Sequence, residues 1–172
     1  PTRRSSDLAA VLAIGFATGD VYRSLCDGLL YIPENCELAA GLRWALDLYG
    51  KVRDYRHAAA LVDERYPGMH SVHTINNACL TVFGLSLGGN DCGRAFSECV
   101  AMAHDNDCTA ATAGSIAGAC LGTAALEEKW FRPFGGRIRS YFNGPREYEI
   151  EDILKRYEKI ALEPAETPSA RA

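Results

Sequence analysis

The stretch HDNDCTAATAGSIAGA, residues 104–119, is the most informative part of this chain. Two carboxylates, Asp105 and Asp107, lie one residue apart in a polar loop, and a helix of small residues follows at once. Hard cations such as Mg²⁺ and Ca²⁺ prefer carboxylate oxygens, and a single turn of chain can bring both side chains to one ion. Asp107 or Thr109 can also serve as the N-cap of the helix, because Asp and Thr are good N-caps. We interpret the stretch as a cap combined with a metal site.

The helix behind this pair carries glycines spaced four residues apart. Gly114, Gly118 and Gly122 fall one above another on a single helix face. Each glycine inside a helix costs roughly 1 kcal/mol relative to alanine. The stripe therefore predicts that other backbone segments pack closely against this face and bring their own groups to the start of the helix.

Two other interpretations of this stretch fail. An EF-hand loop counted from Asp105 needs Gly at its sixth position and Glu at its twelfth, but these positions hold Ala110 and Ile116. A membrane span needs about 20 uninterrupted apolar residues, whereas acidic residues precede this helix and Glu127-Glu128-Lys129 soon follow it. A tightly packed helix of a soluble protein is the better prediction.

Along the rest of the chain, helical patterns follow one another with short connections and almost no strand. The first, DLAAVLAIGFA at residues 7–17, is nearly all apolar, which predicts burial on most sides. Asn35 is the expected cap of the third helix, and Asp91 the cap of the sixth. Seven or eight helices predict an all-α fold, an orthogonal multi-helix bundle. The predicted helices cover about residues 7–17, 20–30, 35–52, 53–66, 76–87, 91–104, 107–122 and 149–161.

Composition and charge narrow the functional classes. A chain of 172 residues with 48% hydrophobic and 23% charged residues is typical of one globular domain. A net charge of −4 argues against nucleic-acid and anionic-membrane partners, both of which favour basic patches. The seven cysteines are odd in number and form no Cys-x-x-Cys pair, which favours a reduced, cytoplasmic protein over a disulfide framework.

A second polar cluster precedes the fifth predicted helix, where residues 70–77 hold two histidines and two asparagines. His73 and Asn76 are candidate substrate-binding residues, since their side chains can bind the hydroxyls or phosphates of a ligand. The alternative is that His73 donates to a backbone carbonyl while Asn76 caps the helix. His104, directly before Asp105, either orients a metal ligand or closes the sixth helix.

These segments together resemble the ADP-ribosylglycohydrolase family, whose enzymes remove ADP-ribose from modified targets. The specific part of the resemblance is Asp105-x-Asp107-x-x-Ala110-x-x-x-Gly114-x-x-x-Gly118-Ala119, which is similar to the C-terminal metal-binding motif of the family. A looser similarity extends over about residues 6–161, through residues 69–78, 88–91, 128–130 and 150–156.

The resemblance implies the family's helical fold and a metal-dependent hydrolase. Two divalent cations, Mg²⁺ or Mn²⁺, are implied between an N-terminal acidic cluster and the pair Asp105 and Asp107, where they hold the ribose hydroxyls and a water. The implied reaction cleaves a ribosyl glycosidic bond of an ADP-ribosyl protein or a related small molecule. Where the fullest motif has Thr or Ser as a further ligand, this chain has Cys108, a soft ligand poorly matched to Mg²⁺. Cys108 is kept among the candidate metal ligands.

The family's other acidic cluster, a Thr/Ser-Asp-Asp run, is absent, since the chain contains no Asp-Asp pair. We therefore expect residues 1–162 to be the C-terminal portion of a single helical domain, followed by a disordered tail at residues 163–172. The general base is expected on the other portion. Apolar surface along the first helix would then associate with a missing N-terminal half or with a second copy. The alternative is a non-catalytic helical binding module, or a truncated relative that keeps the fold without full activity.

Overall fold

A computed structural model describes residues 4–141 and 143–162, with side chains from Leu8 onward. Helices dominate these residues, which confirms the predicted all-α fold. No helix in the described ranges combines the length and the apolar character that crossing a bilayer requires. The predicted tail at 163–172 lies outside them. The α-helices are α1 Arg4–Thr18, α2 Val21–Gly28, α3 Glu37–Asp47, α4 Tyr55–Arg65, α5 Thr74–Gly88, α6 Cys92–Ala101, α7 Asn106–Leu121, α8 Glu128–Phe131 and α9 Ile150–Leu162.

The chain divides into two compact units, residues 1–127 and residues 128–172. The first contains α1 to α7 and the hydrophobic core. The second contains α8, α9 and a two-stranded antiparallel hairpin of β1 (Arg137–Arg139) and β2 (Glu147–Glu149). The sequence did not predict this hairpin. That residues 1–162 belong to a single domain stays a prediction.

Helix α5 is the centre of the first unit. Twelve of its fifteen residues are buried, and α3, α4, α6 and α7 pack against it. Its sequence, TINNACLTVFGLSLG, has few polar side chains on any face, as expected of a helix buried all round. Trp44 of α3 meets the fully buried Phe83 edge to face, with ring centroids 5.5 Å apart. The polar residues near the candidate site lie at the start of this buried helix.

Three of the helices are capped by an aspartate side chain. The side chains of Asp20, Asp54 and Asp91 each accept a hydrogen bond of 2.9 Å from the backbone N–H three residues later. An N-cap of this kind satisfies one of the amides that a helix leaves unpaired at its start. These positions confirm the predicted starts of the second, fourth and sixth helices.

Helix α3 differs from its prediction at both ends. Its N-cap is Cys36 and not Asn35, and the Cys36 Sγ accepts from the Ala39 N–H at 3.4 Å. The helix ends at Asp47 and not near Val52, because the chain turns at Gly50, which has φ of 75°. The apolar spacing continues through that turn, so periodicity alone extends the helix too far.

Helix α1 is less buried than its composition predicted. From Leu8 to Thr18 only Val11 and Gly15 are buried, and Phe16 is 78% exposed. The prediction of burial on most sides is wrong for the described residues, because α1 packs only on the side that contacts α2 and α7. Apolar surface therefore remains open along α1, and a partner that covers it stays a prediction.

Candidate metal centre

A strained turn joins α6 to α7 and carries the candidate site. Helix α6 ends at Ala101 and not at His104 as predicted. Ala103 and His104 both adopt left-handed backbone conformations, with φ of 61° and 60°. Such a conformation costs an L-residue roughly 1–2 kcal/mol. The turn delivers Asp105 to the N-cap position of α7.

The structure brings the three candidate metal ligands together. One ligand atom from each of Asp105, Asp107 and Cys108 lies within 4.8 Å of the others. Asp105 is half-buried, whereas Asp107 and Cys108 are exposed. Within residues 4–141 and 143–162 this is the one group of three or more His, Cys, Asp or Glu side chains close enough to share an ion.

The donor set suits a divalent cation, and the thiol of Cys108 is a softer donor than the two carboxylates. Metal–oxygen bonds of about 2.0–2.6 Å place the ligands of a common ion roughly 3–5 Å apart, so the observed spacing is compatible with shared coordination. Two carboxylates match Mg²⁺ and Mn²⁺, while the thiol of Cys108 is a softer donor that matches Mg²⁺ least. The residues therefore fit a divalent ion held mainly by Asp105 and Asp107.

Neither carboxylate serves as a helix cap. Asp105 occupies the N-cap position of α7, but its side chain makes no capping hydrogen bond. Asp107 lies in the first turn, and the Thr109 hydroxyl donates back to the Asn106 carbonyl at 3.2 Å. Capping by Asp107 or Thr109 is therefore wrong. No salt bridge between described residues involves either acid.

A groove of about 370 Å³ opens beside the cluster. Its polar lining comes from threonines and from Asn77, Asp105 and Cys108, and its apolar lining from leucines and an alanine. The starts of α5 and α7 thus form two walls of one depression. The lining residues are Leu8, Leu38, Thr74, Asn77, Ala78, Thr81, Asp105, Cys108, Thr109 and Thr112.

Asn77 connects these two helix starts, and the sequence did not single it out. Its Oδ1 accepts from the backbone N–H of Asp105 at 3.2 Å. Its Nδ2 donates to the carbonyls of Ser71 and His73 at 2.6 and 2.8 Å. The side chain is buried and fully engaged, so it holds the loop before α5 to the turn between α6 and α7. The only sequence signal was its place beside Asn76 in the polar cluster.

His73 and Asn76 do not line the groove. His73 is the exposed N-cap of α5, and its Nδ1 accepts from the Ile75 N–H at 3.3 Å. Asn76 is 1% exposed, and its Nδ2 donates to the His70 carbonyl at 3.0 Å. The alternative in which Asn76 caps the helix is wrong, because His73 has that role. Substrate binding by either residue stays a prediction.

The glycine stripe on α7 does not pack as predicted. A Cβ added to Gly114 would meet only the Phe96 ring, at 3.8 Å, and one on Gly118 would meet no described atom within 4 Å. Gly122 ends the helix with φ of 72°. Close backbone packing on this face is therefore wrong for the described residues, and Gly122 instead supplies a positive φ at the C-cap, which glycine adopts without steric cost.

The buried thiols are distinct from the candidate centre. Burial raises the pKa of Cys79 and of Cys99 to about 12, so both remain protonated at neutral pH. None of the seven cysteines forms a disulfide. Among the described cysteines, Cys108 alone belongs to a group of possible metal ligands.

The similarity of this chain to known proteins is at the level of a family. No curated protein and no solved structure gives a significant match to the chain. The family model described as ADP-ribosylglycohydrolase matches residues 4–162. Because this match spans nearly all 172 residues, the chain belongs to the ADP-ribosylglycohydrolase family, and this membership supports a glycohydrolase-type function.

Proposed function

We propose that Asp105, Asp107 and Cys108 form one half of a divalent-metal site in a hydrolase that cleaves a ribosyl glycosidic bond. The proposed substrate is an ADP-ribosyl group on a protein or a related small molecule, and the proposed ion is Mg²⁺ or Mn²⁺. The supporting observation is the convergence of three ligand atoms within 4.8 Å at a helix start where neither carboxylate serves as a cap.

The chemistry of the bond suits this arrangement. Cleavage of a glycosidic bond builds positive, oxocarbenium-like charge on the sugar and needs a water that attacks the anomeric carbon. A divalent ion bound here would orient ribose hydroxyls and lower the pKa of a bound water. In the proposed site Asp105 and Asp107 hold that ion, and Asn77 keeps the Asp105 backbone in place.

The groove has the character that a sugar ring needs. Thr74 and Asn77 give it a polar edge, while Leu8, Leu38 and Ala78 give it an apolar side. A ribose ring also has a hydroxyl edge and a C–H face, so the two surfaces are complementary. We propose that this groove receives the ribose end of the substrate, and that a second acidic cluster from a separate segment completes the site.

Metal titration tests the proposal on the chain itself. Calorimetry with Mn²⁺ is expected to show one site for the unmodified chain and at least a tenfold loss of affinity in Asp107→Ala, which removes one carboxylate ligand. Glu64→Ala, which removes an exposed acid on α4, is the matched control and should bind as the unmodified chain does. Equal affinity in Asp107→Ala and the unmodified chain would contradict the proposal.

The non-catalytic alternative is favoured by Cys108, which stands where a hydroxyl ligand would suit Mg²⁺ better. Release of ADP-ribose from an ADP-ribosylated protein separates the two functions. Hydrolysis that requires Mn²⁺ and fails in Asp107→Ala supports the enzyme. Site-dependent metal binding without hydrolysis, even in the presence of the proposed second acidic cluster, supports a binding module.

A further inference from the structure

The turn before the metal ligands is held in a conformation that its residues do not favour. Ala103 and His104 are consecutive, both carry a Cβ, and both have positive φ. Glycine adopts this conformation freely, whereas other residues need surrounding contacts to hold them there. The contacts that hold this turn therefore also determine where Asp105 lies.

One of those contacts comes from a distant helix. The His104 Nε2 lies 3.1 Å from Oδ1 of Asp63 on α4, forty-one residues away in sequence. The nitrogen donates, because an ionised carboxylate can only accept. The His104 side chain is 15% exposed, and its Nδ1 is buried without a hydrogen-bond partner among the described residues. The bond to Asp63 is thus the polar contact that orients the ring.

The hydrogen bond between His104 and Asp63 adds little to the stability of the fold. The Asp63 side chain is 66% exposed, and polar pairs open to solvent contribute little to folding stability. What the bond does determine is local geometry, because it holds the His104 ring to α4. The next residue, Asp105, is tied by its own N–H to Asn77 of α5. The turn between α6 and α7 is therefore held to α4 through His104 and to α5 through Asp105.

We propose that His104 and Asp63 are positioning residues, which act through the backbone of the turn to hold the Asp105 carboxylate beside Asp107 and Cys108 before a metal binds. The inference rests on the proposed function of that cluster as a metal centre. Outer partners of this kind tune metal affinity by about 10- to 100-fold, because a ligand that is already in place loses less freedom on binding.

The first test needs no metal. Amide hydrogen exchange of the full chain, followed by NMR, is expected to be about tenfold faster at Asp105 in Asp63→Ala than in the unmodified chain. Amides in the middle of α5, such as that of Leu80, should exchange at the same rate in both. Glu64→Ala, the adjacent exposed acid on α4, is the matched control. Unchanged exchange at Asp105 in Asp63→Ala would overturn the positioning role.

The second test separates positioning from folding stability. Asp63→Ala and His104→Gly should each weaken Mn²⁺ binding about tenfold by calorimetry, and Asp63→Asn, which keeps an accepting oxygen, should recover part of the loss. His104→Gly also relieves the strained backbone, so its melting temperature should stay equal or rise while its affinity falls. Replacement of a residue with a purely structural role would lower the melting temperature and the Mn²⁺ affinity together.

The outcomes distinguish this inference from the proposed function. If Asp107→Ala abolishes Mn²⁺ binding while Asp63→Ala and His104→Gly bind normally, the positioning role is wrong and the metal centre stands. If Asp107→Ala binds like the unmodified chain, or if neither binds Mn²⁺, the metal centre is wrong. In that case the exchange rate at Asp105 still decides whether His104 and Asp63 hold the turn.

Discussion

Helices α5 and α7 carry glycines at the same spacing and use them in opposite ways. In α5, a Cβ on Gly84 would overlap the Cys99 Sγ, and one on Gly88 would lie 2.5 Å from the Ala95 Cα of α6. In α7, a Cβ on Gly118 would meet no described atom within 4 Å. Equal spacing therefore says nothing about packing until the facing helix is known.

The facing residues explain the difference. Helix α6 presents Ala95 and Cys99, both buried, to the glycines of α5, so two small surfaces allow the two backbones to come close. On α7, the nearest side chain to Gly114 is the ring of Phe96, which keeps its neighbours at ordinary contact distance. Small residues bring helices together only where both partners are small.

Gly88→Ala should have the largest effect on stability. The added methyl would lie 2.5–2.6 Å from the Ala95 Cα, Cβ and N, and a backbone cannot move aside as a side chain can. Overpacking of this kind costs roughly 1–3 kcal/mol and occasionally more, and we expect about 3 kcal/mol or more in the free energy of unfolding. Urea unfolding followed by circular dichroism measures it. A loss below about 1 kcal/mol would show that α5 and α6 are not held this close.

Gly84→Ala should cost less and should be rescued. Its closest clash is with the thiol of Cys99, so we expect a loss of about 1–3 kcal/mol in the free energy of unfolding. Adding Cys99→Ala removes the overlapping sulfur, and the double variant should be more stable than the sum of the two single changes predicts. Strict additivity in this cycle would mean that the two residues do not touch.

The helix starts that were predicted correctly are determined by contacts between residues close together in the sequence. Asp20, Asp54 and Asp91 each cap a helix through an oxygen that reaches only three residues ahead, so sequence alone locates them. The end of α3 depends on Gly50, whose backbone N–H donates to Ser86 Oγ at 2.8 Å. A contact with a residue thirty-six positions away leaves no pattern in the local sequence, so the predicted helix extended through the turn.

The candidate site likewise contains residues that the sequence predicted and residues that it did not. The spacing of Asp105 and Asp107 within one turn allowed their convergence to be predicted, and the ligand atoms are indeed close together. Asn77 and Asp63 reach the loop from other helices, twenty-eight and forty-one residues away. Their roles depend on how α4 and α5 pack, which no local pattern of residues encodes. The ligands could therefore be predicted from sequence, but not the residues that hold them in place.

Raising the pH should lower the free energy of unfolding through two buried thiols, Cys79 of α5 and Cys99 of α6. Burial raises the pKa of Cys79 and Cys99 from an ordinary value near 9 to about 12. Between these values the unfolded thiols lose protons that the folded ones keep, so stability is complete below pH 9 and falls as the pH rises toward 12. From pH 8 to pH 10 we expect a loss of about 1 kcal/mol per thiol.

Urea unfolding at a series of pH values up to 10 tests this slope. Staying at or below pH 10 limits the contribution of Tyr49, whose pKa is also raised, from 10 to about 12. Cys99→Ala should reduce the loss between pH 8 and pH 10 by about 1 kcal/mol, whatever it does to stability at neutral pH. Val62→Ala, which removes buried apolar atoms but no titratable group, is the control and should leave the slope unchanged. A slope that Cys99→Ala does not alter would contradict the buried state of this thiol.

Gly118→Ala should have the smallest effect and the opposite sign from Gly88→Ala. The position is exposed on α7, and the added methyl meets no described atom within 4 Å. Alanine loses less backbone entropy than glycine on entering a helix, so the free energy of unfolding should rise by about 0.5–1 kcal/mol. The same urea measurement as for Gly88→Ala gives the comparison. A clear loss of stability here would mean that the glycine face of α7 is covered in solution by another segment or a second copy, and that the stripe then packs closely, as its spacing first indicated.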